Sequence, residues 1–344
     1  MVTGKRQVEL AMARQEESMR FECVHVSAQR PQPGLAADIA RGFAANPRSI
    51  PAKYFYDARG SELFDRICAT EEYYPTRIEA ALLARQASAI VERIAPDHIV
   101  ELGSGAARKT RHLLTACQGR GLDVHYWPFD VCEQMLGEAA AALLADYPWL
   151  RLTALVGDYL AGLEALPQPP GRRLFVFLGG TLGNFEQGRA LQFLRELRGL
   201  MRPDDALLLG VDRVKPAAVL QAAYNDAAGI TARFNLNVLN VLNRELGADF
   251  DLDAFHHRAL YNRQAERIEM YLVCSRGQRV TIPALGAQYC FAAGEPILTE
   301  ISQKYSRYRL ANLVKAAGLA ERAHYQPANG YFSLLLLERK AQRR

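Results

Sequence analysis

The chain has 344 residues, enough for one large or two modest domains with a sizeable core, which excludes a disulfide-stapled mini-protein. Hydrophobic residues make up 49% and charged residues 23%, far from the composition of a disordered chain. The net charge of +5 is small, no apolar run approaches the roughly 18 residues of a membrane span, and the N-terminus is charged where a signal peptide is apolar.

Residues 1–45 read as a lead-in of weak periodicity, containing the turn-rich Arg30-Pro31-Gln32-Pro33-Gly34. Within 46–213, short apolar runs alternate with amphipathic stretches. Strands are predicted at His98–Glu101, Val124–Asp130, Leu152–Val156, Leu174–Leu178 and Ala206–Asp212. Between them, Cys132–Tyr147 is rich in Ala, Leu and Glu, and Gln187–Met201 places Leu191, Leu194, Leu197 and Met201 on one helical face. Such alternation predicts βαβ units, hence an α/β fold with a parallel sheet and crossover helices. After Lys215 the texture changes. Pro216 opens an Ala-rich helical stretch through Phe234, a second amphipathic run reaches Leu246, and strands are predicted at Arg267–Val273 and Phe332–Leu337. Residues 214–344 are therefore expected to form a second, α+β domain that binds the substrate.

The C-terminal cluster Arg339, Lys340, Arg343 and Arg344 reads as a solvated tail, so no nucleic-acid partner is expected. The six cysteines form no CxxC pair and the seven histidines show no ligand spacing, which predicts free thiols in the cytoplasm and no metal.

Chemistry concentrates at the predicted strand ends. The first strand runs into Leu102-Gly103-Ser104-Gly105-Ala106, a turn whose backbone amides can approach a ligand at a helix N-terminus. Counting from Gly103, the sixth position is Arg108, so the nicotinamide fingerprint GxGxxG is broken, and no GxxxxGK[ST] phosphate loop is present. Glu101 and Asp130 suit S-adenosylmethionine instead: an acid near its ammonium, and a carboxylate accepting both ribose hydroxyls. Asp158 can accept from the adenine amine, with Tyr159 as a stacking surface and Lys109 completing the group. The fourth strand ends in Gly179-Gly180-Thr181-Leu182-Gly183-Asn184-Phe185, which lacks the Asn/Asp-Pro-Pro-aromatic tetrapeptide of nucleic-acid amino-methyltransferases. Its glycines, Gly179 first, leave room beside the methyl donor, and Asn184 offers a donor and an acceptor to an amino acid.

These segments, together with Tyr54-Phe55-Tyr56-Asp57, Glu72-Tyr73-Tyr74-Pro75, Phe234-Asn235-Leu236-Asn237, Leu246-Gly247-Ala248-Asp249-Phe250 and Thr299-Glu300-Ile301-Ser302-Gln303-Lys304-Tyr305, resemble the histidine-specific Nα-methyltransferases of ergothioneine biosynthesis. The resemblance runs from about Ile50 to Leu337. It implies a Rossmann-like class I methyltransferase sheet with a second domain, residues 70–80 contributing to the substrate pocket. The implied reaction transfers three methyl groups from S-adenosylmethionine to the α-amine of L-histidine, giving hercynine, in a monomeric enzyme without a metal. The resemblance further implies that Glu300 and Ser302 grip the imidazole, Asn184 and Tyr224 hold the amino-acid head, Tyr56 and Tyr74 close the pocket, and Met270 packs near the ring. Tyr56 and Asn184 are the expected catalytic residues. Departures lie at Ala106, Ala107, Leu236, Leu298, Tyr271 and Cys274, around the cofactor edge and pocket periphery. Methylation of another aromatic amino acid or small amine is the alternative, and a non-catalytic S-adenosylmethionine-binding protein is the rival from another class.

Overall fold

A computed structural model describes residues 20–30 and 33–340. The chain opens with strand β1 (Phe21–His25), helix α1 (Leu35–Ala44), the short strand β2 (Arg48–Ser49) and helices α2 (Ala58–Cys68) and α3 (Tyr74–Ile94). Alternation follows: β3 (His98–Leu102), α4 (Arg111–Gln118), β4 (His125–Asp130), α5 (Glu133–Asp146), β5 (Arg151–Val156) and the short α6 (Tyr159–Gly162). Next come β6 (Arg173–Phe177), a 3-10 turn Thr181–Asn184, α7 (Gln187–Leu200) and β7 (Ala206–Asp212). Helices α8 (Ala217–Ala223) and α9 (Ile230–Leu246) lead to β8 (Phe255–Asn262), β9 (Arg267–Cys274), β10 (Gln278–Ile282), β11 (Ala287–Phe291) and β12 (Pro296–Gln303). The chain closes with α10 (Arg307–Ala316), β13 (Leu319–Tyr325) and β14 (Phe332–Arg339).

The expected α/β architecture is present. Eight strands form one sheet in the order β1-β5-β4-β3-β6-β7-β14-β13, parallel from β1 to β7 with β14 antiparallel between β7 and β13. Every residue of β6 and β7 is buried, because helices cover both faces; this is why they read as continuous apolar runs rather than alternating ones. On α7 the buried stripe is Ala190, Phe193, Leu194 and Leu197. Leu191, expected on that face, is only half-buried, since the bulkier Phe193 turns the helix toward the sheet. The order of strands reverses about β3 and β6, and the carboxyl ends of these two strands open the crevice where such sheets bind ligands.

A second sheet, β2-β12-β9-β8, and the hairpin β10-β11 pack with α8, α9 and α1 around a separate core that includes Ile39, Phe43, Phe234 and Phe291. The two bodies share the chain in an interleaved way. Phe21–His25, in the expected lead-in, pairs with Leu152–Val156 at the edge of the large sheet, while Arg48 and Ser49 pair with β12. Strands β13 and β14, in the expected substrate domain, return to the large sheet. Arg339 donates to the Met201 carbonyl at 2.6 Å, so this end of the chain is anchored; Arg343 and Arg344 lie outside the described residues.

The helical stretch expected through Phe234 breaks at Tyr224–Gly229. Asp226 accepts from the Ile230 and Thr231 amides at 2.7 Å each, and Gly229 takes φ 65°, which restarts the helix on a new axis. Tyr224 is thereby left at the end of α8, where its side chain reaches β12.

Candidate active site

The turn after β3 is built for close approach. Gly103 and Gly105 take φ 69° and 50°, the left-handed region that favours glycine, and Ala107 joins them at 52°. From β4, the Phe129 carbonyl accepts the Gly103 amide at 2.8 Å and the Asp130 carboxylate accepts the Gly105 amide at 2.9 Å. The Tyr159 ring lies below: a β-carbon on Gly103 would stand 3.6 Å from it. Asp158 caps α6 by accepting from the Leu160 amide at 2.8 Å. The Ser104 hydroxyl is buried with no partner, an orphan that a bound polar ligand would satisfy.

Glu101 points inward, accepting from Thr110 at 2.6 Å and from Tyr126. Burial raises its carboxyl to about 7, against the pull of both hydrogen bonds. Across the crevice, the Gly179 amide donates to both oxygens of Glu79, at 3.0 and 2.8 Å, and Lys109 pairs with the same carboxylate. Glu79 sits on α3, wholly buried against Gly210, where a β-carbon would fall 1.9 Å from its Oε1. One carboxylate thus ties the loops after β3 and β6 together.

The second sheet supplies the other wall. Glu300, Ser302 and Lys304 alternate along β12 and its continuation, which puts all three on one face. A bulge at Leu298/Glu300 leaves Thr299 unpaired in the ladder, its hydroxyl donating to Asn235 at 2.7 Å, and sets Glu300 opposite Met270. The 3-10 turn bearing Asn184 lies along this strand: a β-carbon on Gly183 would meet the Gln303 carbonyl at 2.8 Å and Ser302 Oγ at 3.6 Å.

Below Ser302 runs a buried polar chain. Lys304 Nζ donates to Ser302 Oγ at 2.8 Å, Tyr224 OH at 3.0 Å and Asp212 Oδ2 at 3.0 Å. Tyr224 donates to Ser302 at 2.9 Å. Asp212 also accepts from Tyr74 at 2.6 Å and pairs with Lys215, which in turn donates to Tyr74 at 2.6 Å. Asp212 is held below the usual carboxylate range: Lys304 and Lys215 together outweigh its burial. Burial lowers Lys215 to about 8, while Tyr224 and Asp212 hold Lys304 above its ordinary value against burial.

Tyr56, Tyr159 and Glu300 are each half-buried, and burial is the first cause of the upward shift in each. Burial pushes the Tyr56 phenol well up, with Glu300, Tyr159 and Tyr224 among the further causes. Glu300 itself rises to about 7 through burial, offset only by Lys304.

The sequence model of the histidine-specific, S-adenosylmethionine-dependent methyltransferases matches residues 35–339. The chain belongs to this family. A histidine N-alpha-methyltransferase of Mycobacterium tuberculosis is 46% identical over 302 residues, covering 88% of this chain and 94% of that one. Another, from Mycolicibacterium smegmatis, is 44% identical over 315 residues, covering 92% and 98%. An L-tryptophan methyltransferase of Psilocybe serbica is 27% identical over 346 residues, covering 89% and 93%.

In this histidine-specific methyltransferase the turn bearing Asn184, after β6 of the large sheet, lies against Ser302 and Gln303 of the second sheet. Tyr74 faces Asp212 and Lys215, whereas Tyr73, unnoticed in the sequence, packs at 6.0 Å from the Tyr224 ring. Glu79, Asp212, Lys215 and Lys304 were also missed. The only prior signal was Lys304, two positions beyond Ser302 in the same motif. Cys23, His25 and Glu133 approach one another at the exposed sheet edge, with no buried ligand among them. A surface groove of about 590 Å3 between α7 and α10, lined by Leu191, Tyr308 and Leu313, gathers none of the pocket carboxylates. Among the described residues no helix is long and apolar enough to cross a membrane.

Proposed function

We propose that this chain is the enzyme that transfers three methyl groups from S-adenosylmethionine to the α-amine of L-histidine, giving hercynine, the first step of ergothioneine biosynthesis. The observation that carries this reading is the pair Glu300 and Ser302, an acid with no bonded side-chain partner and a hydroxyl on one face of one strand, matched to the two nitrogens of an imidazole. Family membership and the named mycobacterial relatives support it. The partnerless Ser104 hydroxyl and the glycine turn fit the methyl donor, with Asp130 for its ribose, Asp158 and Tyr159 for its adenine, and Gly103, Gly105, Lys109 and Gly179 around its amino-acid end. S-adenosylmethionine supplies an electrophilic methyl group on a sulfonium.

The protein's part is alignment. Glu300, Ser302 and Met270 hold the ring, Asn184 and the remaining lone pair of Tyr224 the amino-acid head, and Tyr56 and Tyr73 exclude water around the amine, whose lone pair must be free and in line. Glu101 acts through Thr110 and Tyr126, fixing the base of the cofactor turn. The six free cysteines suit a reducing cytoplasm.

Mass spectrometry of the purified protein with S-adenosylmethionine and an equimolar panel of the twenty amino acids tests the reading. Trimethylated histidine alone is expected; a methylated product from another amino acid, or none, overturns it.

The Glu300 carboxyl adds a pH signature. It must be ionised to accept from a ring N–H, and with its empty-site value near 7, binding at lower pH must expel a proton. The histidine KM is therefore expected to fall as pH rises toward about 7 and then level off. A KM independent of pH between about 5.5 and about 7, from roughly one unit below to half a unit above free imidazole's value, would remove Glu300 from the ring site.

A further inference from the structure

We propose that Lys304 fixes the polarity of the Ser302 hydroxyl, so that the pocket takes histidine with a neutral imidazole whose bare nitrogen faces Ser302 and whose N–H faces Glu300. The inference deepens the reading of this site as a histidine pocket and rests on it. Lys304 is a positioning residue: it reaches the ring only through Ser302.

Counting hydrogens along the buried chain leads to this polarity. An ammonium has three N–H groups and no acceptor. Those of Lys304 go to Ser302, Tyr224 and Asp212, at 2.8, 3.0 and 3.0 Å. Tyr224, having accepted from Lys304, directs its single hydrogen to Ser302 at 2.9 Å. Both acceptor positions of the Ser302 oxygen are then filled, and its own hydrogen is left to donate into the pocket. A ring nitrogen facing Ser302 must offer a lone pair. Glu300, on the same face of the strand, accepts the hydrogen of the other nitrogen. An imidazolium carries hydrogens on both nitrogens and would set one of them against Ser302.

The surrounding charges act in the same direction. Ser302 and Lys304 are faced by Asp212 and Lys215 from the end of β7, Tyr73 and Tyr74 from α3, Tyr224 from α8, Tyr261 from β8 and Tyr305 just beyond. His257 reaches the Tyr224 carbonyl at 2.8 Å and the Asn235 side chain at 2.9 Å. Asp212, below Ser302, is divided between two lysines, so among the described residues a third cation in the ring position is answered by Glu300.

The test is nitrogen NMR of L-histidine labelled with 15N in the ring, bound to the enzyme together with S-adenosylhomocysteine at pH 6. Free imidazole, with a pKa of about 6.5, is mostly protonated there, so a pocket indifferent to ring charge would hold the imidazolium. One protonated and one bare ring nitrogen are expected in the wild type. Two protonated nitrogens would overturn the proposal, showing that the hydroxyl chain runs the other way. In Lys304→Met, with S-adenosylhomocysteine affinity unchanged, both nitrogens are expected to be protonated, since Ser302 is then free to accept. A Lys304→Met spectrum that keeps one bare nitrogen would remove Lys304 from the choice. Where that variant fails to fold, the wild-type spectrum decides by itself. No bound histidine at all in the wild type would instead refute the histidine reading on which the inference stands.

Discussion

Replacing Glu300 with alanine is expected to lower kcat/KM for histidine about a hundredfold, from the roughly 1.5–3 kcal/mol of a hydrogen bond to a charged group, while S-adenosylmethionine affinity stays within about twofold. The asymmetry follows from position: Glu300 lines the pocket from β12, whereas the cofactor turn is pinned by Asp130 and Phe129 from another sheet. Glu300→Gln, which keeps the shape and an acceptor oxygen, should lose about tenfold, between the two. Isothermal titration with each ligand separates the effects. An equal loss of both affinities would show that the substitution damaged the fold and that the carboxylate does not read the ring. The same carboxylate bears on discrimination. An indole offers one N–H and no acceptor nitrogen, so a donating Ser302 would be left without a partner, a penalty that grows in a buried site. The tryptophan-methylating relative, at 27% identity, leaves ample room for a different ring site on a similar fold.

Asp212→Ala is expected to be the most destabilising change near the pocket. Asp212 is the carboxylate shared by two buried lysines, and removing one partner of a buried pair costs about 3–5 kcal/mol because the remaining charge stays in a poorly solvated place. The penalty should depend on pH. Lys215 loses its proton near 8, so above that value its pairing with Asp212 no longer contributes. Its folded value lies below its unfolded one, so the unfolded chain binds more protons between about 8 and 10.5, and wild-type stability from this group rises with pH across that window. The deficit of the variant should be largest below about 8 and shrink above it, leaving the share of Lys304, which stays charged. Denaturant unfolding at pH 7 and pH 9.5 reads both, about one unit on the low side and well past the Lys215 midpoint. A deficit under about 1 kcal/mol at pH 7 would mean that the two ammonium groups find water when Asp212 is gone.

Much of the cofactor half was legible because its signals are local. A strand running into a glycine turn, with acids at successive strand ends, occupies neighbouring positions in the chain, and the carboxyl ends of one parallel sheet bring them to one edge. Glu300 and Ser302 were singled out only through the resemblance, since no strand was predicted there; the structure puts them on one face of β12. Glu79 was not singled out. It lies mid-helix in a stretch of ordinary amphipathic composition, and its meaning appears only when Gly179, 100 residues later, turns its amide onto it. The Tyr224 region misled for a local reason, since an Ala-rich run predicts an unbroken helix and the break depends on Asp226 capping the segment after Gly229.

The amino-acid sequence by itself determined the α/β pattern, the glycine turn that departs from nicotinamide and phosphate loops, and the family. Hydrophobic period, turn chemistry and motif spacing are short-range properties, and short-range order is written directly in the chain. The tertiary structure alone decided that Phe21–His25 adds an edge strand, that β13 and β14 return to the large sheet, and that Tyr73 packs on Tyr224 while Tyr74 donates to Asp212. It alone placed Lys304 under Ser302 and Asp212 between two lysines. Tyr74 and Asp212 are 138 residues apart, and no local pattern announces such a pair. A buried charge is tolerated only where distant segments deliver its partners together, so the polar chain under the substrate pocket exists as a consequence of folding.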